Sequence, residues 1–345
     1  MVRRARSGQV GVVDLARELG VSTATVSRAL NDSDAVRPEL AERIRSHARD
    51  RGYVPNRLAR ALSASVSRAF VGFVVPYVDT PAYSAVAAEC ARLLSAGGTQ
   101  MILTITENDP ERELRQLREL TASRVAGLVI SPSTHMLPES RELLASIPVV
   151  ELHRASGITA PGVFSDDERV LDEAVGHLAG LGHRAIAYLG TPEALSNGAA
   201  RLQGVRHAMG AAGLDPDAMA VHLAEPTPEN GRRGVDALLD AGSDPTALLV
   251  VGGALSIGAA QRVRERGLRL PDDLSLVVYG DPVWFALSDP PLTTIRVSYS
   301  EHARRAAEML TDLLGDDPDA RPAPGPHLVV PELRVAGSTG PPRHG

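Results

Sequence analysis

Between Val12 and Asn31 the chain reads VVDLARELGVSTATVSRALN, and no other stretch narrows its possible folds so far. Val12, Leu15, Ala16 and Leu19 recur at helical spacing and mark one apolar face. Gly20 follows, where a helix end calls for a left-handed backbone, and Ser22 is placed to cap a second helix. In that second helix Val26, Ala29 and Leu30 point inward, leaving Thr23, Ala24, Ser27 and Arg28 outward. Small Ala16 permits a close helix approach. Two short helices joined in this way form a helix-turn-helix, whose second helix can lie in a DNA major groove. The alternative for these residues alone is an ordinary helical hairpin in a core.

Charge separates this segment from the rest. Residues 1–68 hold 13 Arg against 7 Asp and Glu, whereas the remainder holds 23 Arg against 35 acids, and the chain contains no Lys. A basic head on an acidic body implies that the head alone meets a polyanion. At 345 residues the chain suits two or three domains. No apolar run reaches the length of a membrane span, and the Arg-rich N-terminus lacks a signal peptide's apolar segment, so a cytoplasmic protein is expected. The single cysteine, Cys90, excludes an internal disulfide framework; within AVAAECARLL it reads as a small helix residue rather than a catalytic thiol.

Helical spacing through Leu40, Ile44 and Ala48 predicts a third helix over 38–51, closing a small three-helix core. Gly52 ends it. In YVPNRLARALSAS, Pro55 breaks structure and Asn56 can cap a helix from Arg57 to about Leu62, too short to be stable alone. GVSTATVSRALN, then GYVPNRLARAL, then a core opening FVGFVVP, together resemble the LacI/GalR family of bacterial transcription repressors over nearly the whole chain. The resemblance implies base contacts from Thr23, Ala24 and Arg28. It implies phosphate positioning by Ser22, Thr25 and Asn31, with Ser27 on the same face and backbone contacts from Tyr53 and Asn56. Leu62, with Ala59 beside it, takes the place of a leucine that wedges into the central minor groove and kinks the duplex.

From residue 69 onward β-rich runs alternate with helical patterns: FVGFVV, QMILTI, AGLVIS and PVVEL, then AIAYLG, MAVHL, ALLVV and LSLVVYG. Such alternation predicts parallel sheets flanked by helices in two similar halves, with ligands bound at the strands' carboxyl ends. The expected fold is an N-terminal all-α helix-turn-helix head plus an α/β body of two doubly wound parallel-sheet lobes. The resemblance makes that body periplasmic-binding-protein-like. The expected divisions are a head at 10–55, a hinge helix and linker at 56–68, a body at 69–338 and a disordered tail at 339–345. Within the body, lobe one is placed at about 69–162 and 293–325, and lobe two at about 163–292 and 326–338.

The cleft departs from the family's pattern. Sugar-responsive members carry an Asn-Asp pair where VVGGALSIGAA has Gly252 and Gly253, and an Asp where VVYGDP has Gly280. A further family Asp is His153 here, although Arg154 and Arg201 are retained. The candidate effector set is therefore Tyr77, Asp79, Arg154, Arg201, Asp281 and Trp284, the last free to stack on a ring. Either the effector differs from a typical sugar, with the two arginines favouring an anion, or small-molecule control has been lost.

His177 and His183 lack further ligands at zinc spacing, Asp166 and Asp167 lack a nucleophile, and GGALSIG lacks a dinucleotide fingerprint. No metal, cofactor or catalytic residue is expected. The expected partners are double-stranded operator DNA, a small-molecule effector and a second copy of the chain, with helices at 82–96 and 111–123 in the dimer interface. A solute-binding protein is the rival from another class; it would need an export signal and no DNA-reading head. A C-terminal tetramerising coiled coil is unsupported, because the chain ends in Pro and Gly.

Overall fold

The computed structural model describes residues 10–30, 35–53, 70–242, 244–280 and 283–342. The chain divides into two compact units, one within 1–63 and one within 64–345.

In the first unit, α1 (Val12–Leu19), α2 (Thr23–Leu30) and α3 (Pro38–Asp50) surround one small core. The Asp14 carboxylate accepts the Gly11 N–H at 3.1 Å and so opens α1. Gly20 closes that helix at φ 66°, a left-handed conformation that a side chain would strain. Ser22 Oγ accepts the Thr25 N–H at 3.1 Å and caps α2, as its position in the sequence predicts. Leu15, Val26, Ala29 and Ile44 are wholly buried. Ala41 rather than Leu40 faces fully inward from α3, and Leu40 packs half-buried at the margin. Glu18 ties α1 to the end of α3, accepting from Arg51 at 2.8 Å and meeting His47 at 2.8 Å.

The second unit opens with β1 (Phe70–Val75), α4 (Pro81–Ala96), β2 (Gln100–Ile105), α5 (Pro110–Ala122), β3 (Leu128–Ile130), α6 (Pro138–Ala145), β4 (Val149–Leu152) and β5 (Pro161–Ser165). There follow α7 (Glu168–Gly180), β6 (Ile186–Gly190), α8 (Ser196–Ala211), β7 (Val221–Leu223), α9 (Pro228–Asp240), β8 (Ala247–Val251), α10 (Gly253–Glu265) and β9 (Ser275–Tyr279). The chain ends through β10 (Thr293–Arg296), α11 (Tyr299–Leu314), β11 (Gly325–Val329) and β12 (Glu332–Arg334).

The strands form two sheets, ordered β11-β5-β4-β3-β1-β2 and β12-β10-β9-β8-β6-β7. Every pairing is parallel except that of β12 with β10. Central strands such as β6, β8 and β9 are buried along their whole length, which is why they read as unbroken apolar runs rather than alternating ones. The edge strands β2, β7, β11 and β12 stay partly exposed.

The chain passes between lobes three times: after Ser165, after Arg296 and after Val329. The expected boundaries fell three or four residues early at each point. Residues 163–165 complete β5 of the first sheet, 293–296 form β10 of the second, and 326–329 belong to β11 of the first. The reason is pairing: β5 and β11 run together as far as Ser165 and Val329 before either can leave the sheet.

The tail is a second correction. Thr339 and Gly340, expected to be disordered, are held in the second lobe. The Gly340 carbonyl accepts from Ser275 Oγ at 3.0 Å and meets His183 Nε2 at 2.9 Å, while Thr339 Oγ1 lies 2.9 Å from His177 Nε2. His183 Nδ1 contacts Thr246 Oγ1 at 2.8 Å, so His183 meets hydroxyls and a carbonyl, and His177 a hydroxyl. Among the described residues no group of three or more His, Cys, Asp or Glu could hold a metal ion, and no helix is long and apolar enough to cross a membrane. Cys90 is buried, its thiol donating to the Ala303 carbonyl at 3.3 Å and pushed up to about 12 by burial. It is a core residue.

Candidate functional site

On the head, α2 presents an exposed face made of Ser22, Thr23, Ala24, Ser27 and Arg28, with Thr25 half-buried beside it. Ser22 and Thr25 hydroxyls lie 2.8 Å apart and are engaged in capping. Arg28 has no hydrogen-bonded or ion-paired partner among the described residues, although Arg17, Arg45, Arg49 and Arg51 in the same unit pair with carboxylates. Its guanidinium and the N-terminal peptide dipoles of α2 are what this face offers an anion. Tyr53 packs half-buried against the small core. Asn31, Asn56, Ala59 and Leu62 lie outside the described residues.

In the body, a cavity of about 460 Å³ opens between the two lobes. The first lobe contributes Tyr77, Tyr83, Glu151, His153 and Arg154, and the second contributes Asp167, Thr191, Asn197, Arg201 and Tyr279. The arrangement follows from topology, since the strands of both sheets deliver their carboxyl ends here. Tyr77 follows β1, His153 follows β4, Thr191 follows β6, and Tyr279 ends β9.

Arg201 already has a carboxylate partner. Its Nε donates to Asp167 at 2.6 Å and its Nη2 to the Tyr279 hydroxyl at 2.7 Å, while that hydroxyl donates to Asp167 at 2.8 Å. The guanidinium carbon lies 4.3 Å from the Tyr279 ring centre. Arg201 and Asp167 are only 8% and 9% exposed, so this is a closed, buried ion pair. Burial, more than any neighbouring charge, pushes the Tyr279 phenol far above its ordinary range.

Arg154 serves a different network. Its Nη1 donates to Asn108 Oδ1 at 2.9 Å and to the Pro132 carbonyl at 3.3 Å. Asn108 in turn donates to Glu225 across the cleft at 3.2 Å and accepts the Thr134 N–H at 3.0 Å. Two further bonds join the lobes: the Ala155 N–H donates to Ser196 Oγ at 2.9 Å, and Asn197 Nδ2 donates to the His153 carbonyl at 3.3 Å. His153 stands in the left-handed region at φ 61° and packs against Tyr83 and His302. Burial holds its imidazole well below the ordinary histidine range.

Of the residues proposed from sequence, Tyr77, Arg154 and Arg201 meet at this cavity. Asp79 does not; it is exposed in the loop before α4 and forms no part of the wall. Asp281 and the Trp284 side chain lie outside the described residues. Glu151, Asn197, Tyr279 and Tyr299 were missed. Three of them had a signal: Glu151 and Tyr279 stand at the carboxyl ends of recognised strands, and Asn197 lies in the loop-to-helix turn after another.

The glycines that replace family side chains now have a geometry. Gly280 has φ 91°, which any side chain would strain, and a Cβ there would lie 3.3 Å from the Tyr299 hydroxyl. A Cβ at Gly253 would meet only that same hydroxyl, at 3.8 Å. The Tyr299 hydroxyl therefore borders the space where carboxylate-bearing side chains could otherwise project.

Comparison with known proteins covers both units. Residues 12–56 match the family "Bacterial regulatory proteins, lacI family", and residues 175–339 match the "Periplasmic binding protein-like domain". The HTH-type transcriptional regulator MalR of Streptomyces coelicolor is 30% identical over 343 residues, covering 95% of this chain and 96% of that protein. The HTH-type transcriptional regulator DegA of Bacillus subtilis is 28% identical over 335 residues, covering 96% and 98%. In fold, the chain matches the crystal structure of the lac repressor dimer bound to operator and the anti-inducer ONPF. The TM-score is 0.83 at 24% identity, over 96% of this chain and 100% of that one.

Proposed function

The chain belongs to the LacI family of bacterial transcriptional regulators, and from that premise we propose that it acts in the cytoplasm as a homodimeric repressor of a pseudo-palindromic operator. A small molecule in the inter-lobe cavity modulates its DNA affinity. The observation that carries the DNA reading is the exposed face of α2, whose Arg28 has no partner among the described residues, while Arg17, Arg45, Arg49 and Arg51 pair with carboxylates. A two-fold protein reads two related half-sites, one recognition helix to each. Thr23 and Ala24 offer methyl contacts, and Arg28 offers a bidentate contact to guanine or a phosphate. The hinge segment with Asn56, Ala59 and Leu62 supplies the minor-groove wedge in this reading.

Control by a ligand rests on the cross-cleft bonds of Asn108, Ser196 and Asn197, which a compound between the lobes would strengthen or break. Coupling needs different affinities for the two lobe arrangements, not binding alone. Gly252, Gly253 and Gly280 support the other reading, in which small-molecule control has been lost.

The test is selection of bound sequences from random DNA with the full-length protein, followed by affinity measurements on the enriched site across a compound panel. Enrichment of a two-fold site is expected; enrichment of no palindrome overturns the dimeric-repressor reading. A compound that binds the body and shifts operator affinity separates ligand control from its loss.

A further inference from the structure

We propose that the inter-lobe cavity is built for an organic cation: a small ring-bearing amine whose ammonium group is held by Glu151. This rests on the reading of the cavity as the effector site and names the chemistry it selects.

The argument is an inventory of charge. Arg201 is cancelled by Asp167 at 2.6 Å. Arg154 forms no direct ion pair among the described residues, yet Asn108 links its guanidinium to the Glu225 carboxylate, and its field also reaches the buried Glu113. Burial holds the His153 imidazole well below the ordinary histidine range. Glu151 is different. It lines the cavity, is only 3% exposed, and accepts from the Ser156 N–H at 2.7 Å and the Ser156 hydroxyl at 2.6 Å, both at the same oxygen. Its other oxygen has no partner, and no Arg, Lys or His pairs with it among the described residues. Burial accordingly pushes its carboxyl above the ordinary range.

Thr191 Oγ1 and Asn197 Oδ1, in residues of the cavity wall, are buried without a partner among the described residues; the amide oxygen needs a donor, whereas the hydroxyl can donate or accept. The second carboxylate oxygen of Glu151 also needs donors, and an ammonium group supplies three. Charge-assisted bonds of this kind are about twice as strong as neutral ones.

Aromatic placement agrees. The chain has only six tyrosines and four phenylalanines, yet Tyr77, Tyr83, Tyr279, Tyr299 and Phe164 all line this cavity. Ring faces other than that of Tyr279, which Arg201 covers, favour cations and pack against flat ring skeletons. An anionic ligand would find the Arg201 guanidinium compensated by Asp167, the Arg154 Nη1 engaged with Asn108 and the Pro132 carbonyl, and the Glu151 carboxylate opposed to it.

Two matched probe series test this with the full-length protein by calorimetry and thermal shift. One is glucosamine, glucose and glucose 6-phosphate; the other is phenethylamine, 2-phenylethanol and phenylacetate. In at least one series the cation should bind about tenfold or more tightly than its neutral counterpart, with the anion weakest. Glu151→Gln should erase that preference by weakening the cation's binding more than the neutral compound's. It should also raise the ligand-free melting temperature. The raised Glu151 carboxyl costs stability as pH rises above the ordinary carboxylate range, so the gain should be larger at neutral pH than in acid. A neutral or anionic member that binds as well as the cation overturns the proposal, as does a cation preference that survives Glu151→Gln, or no cation bound at millimolar levels. Operator affinity separates the two readings. A neutral or anionic compound that shifts it leaves the effector site standing and removes the charge assignment. A cation bound through Glu151 without such a shift does the reverse.

Discussion

At the scale of single residues, function here turns on which arginines are spent. Arg28 has no partner among the described residues and stands on an exposed helix face, whereas Arg201 is locked to Asp167 and Tyr279. Arg28→Ala should therefore weaken specific operator binding by about 1–3 kcal/mol, roughly 5–150-fold, without lowering the head's melting temperature; fluorescence anisotropy on the selected site checks this. Asp167→Ala should act on folding instead. It strands a buried guanidinium, and losing one partner of such a pair costs about 3–5 kcal/mol, measurable by urea unfolding of the body. The outward set of α2 was legible in the sequence because a capped, amphipathic helix declares its own faces. The state of Arg201 was not. Its carboxylate and phenol partners stand 34 and 78 residues away, and only the closed fold brings them together. Glu151 shows the same limit: a carboxylate inside an apolar strand reads as a cleft candidate only once the missing counter-charge can be seen.

At the scale of elements, most strands were visible as short apolar runs, and β1 and β2 coincide with FVGFVV and QMILTI. β5 was not singled out. Its PGVFS carries Pro and Gly, which argue against a strand, and pairing with β4 and β11 overrides that local preference. Helix approach was also hidden. Gly231 of α9 and Gly258 of α10 let the two backbones meet: a Cβ at Gly258 would lie 1.7 Å from the Pro228 carbonyl oxygen, and one at Gly231 would lie 2.2 Å from that of Leu255. Around this seam Arg262 and Arg266 bind Asp236, each at 2.8 Å, and Arg232 binds Glu265. Gly258→Ala should force the helices apart and cost at least about 1–3 kcal/mol, seen as a lower melting temperature of the body. In sequence, Gly258 looked only like part of a weak nucleotide-binding pattern.

At the scale of the whole molecule, the body carries buried histidines that fold in the neutral form. Burial lowers His153, His183, His302 and His177 below the ordinary value of 6.5. A histidine depressed in the folded state lends stability above its unfolded value and withdraws it as pH falls toward the folded one. The body's melting temperature should thus drop as pH is taken from about 7 to about 5, and calorimetry across that range checks it; a flat profile would contradict the assignment. The three passages between lobes have a further consequence, which concerns the order in which the protein is made. The last strand of the first sheet, β11, and its covering helix α11 leave the ribosome only after nearly all of the second lobe has emerged. The first lobe to be synthesised is then the last to close. During that interval the nascent chain holds the exposed edge of β5 open to solvent, a delay of some 160 residues between Ser165 and its neighbour Val329 that translation at about 5–20 residues per second stretches to many seconds.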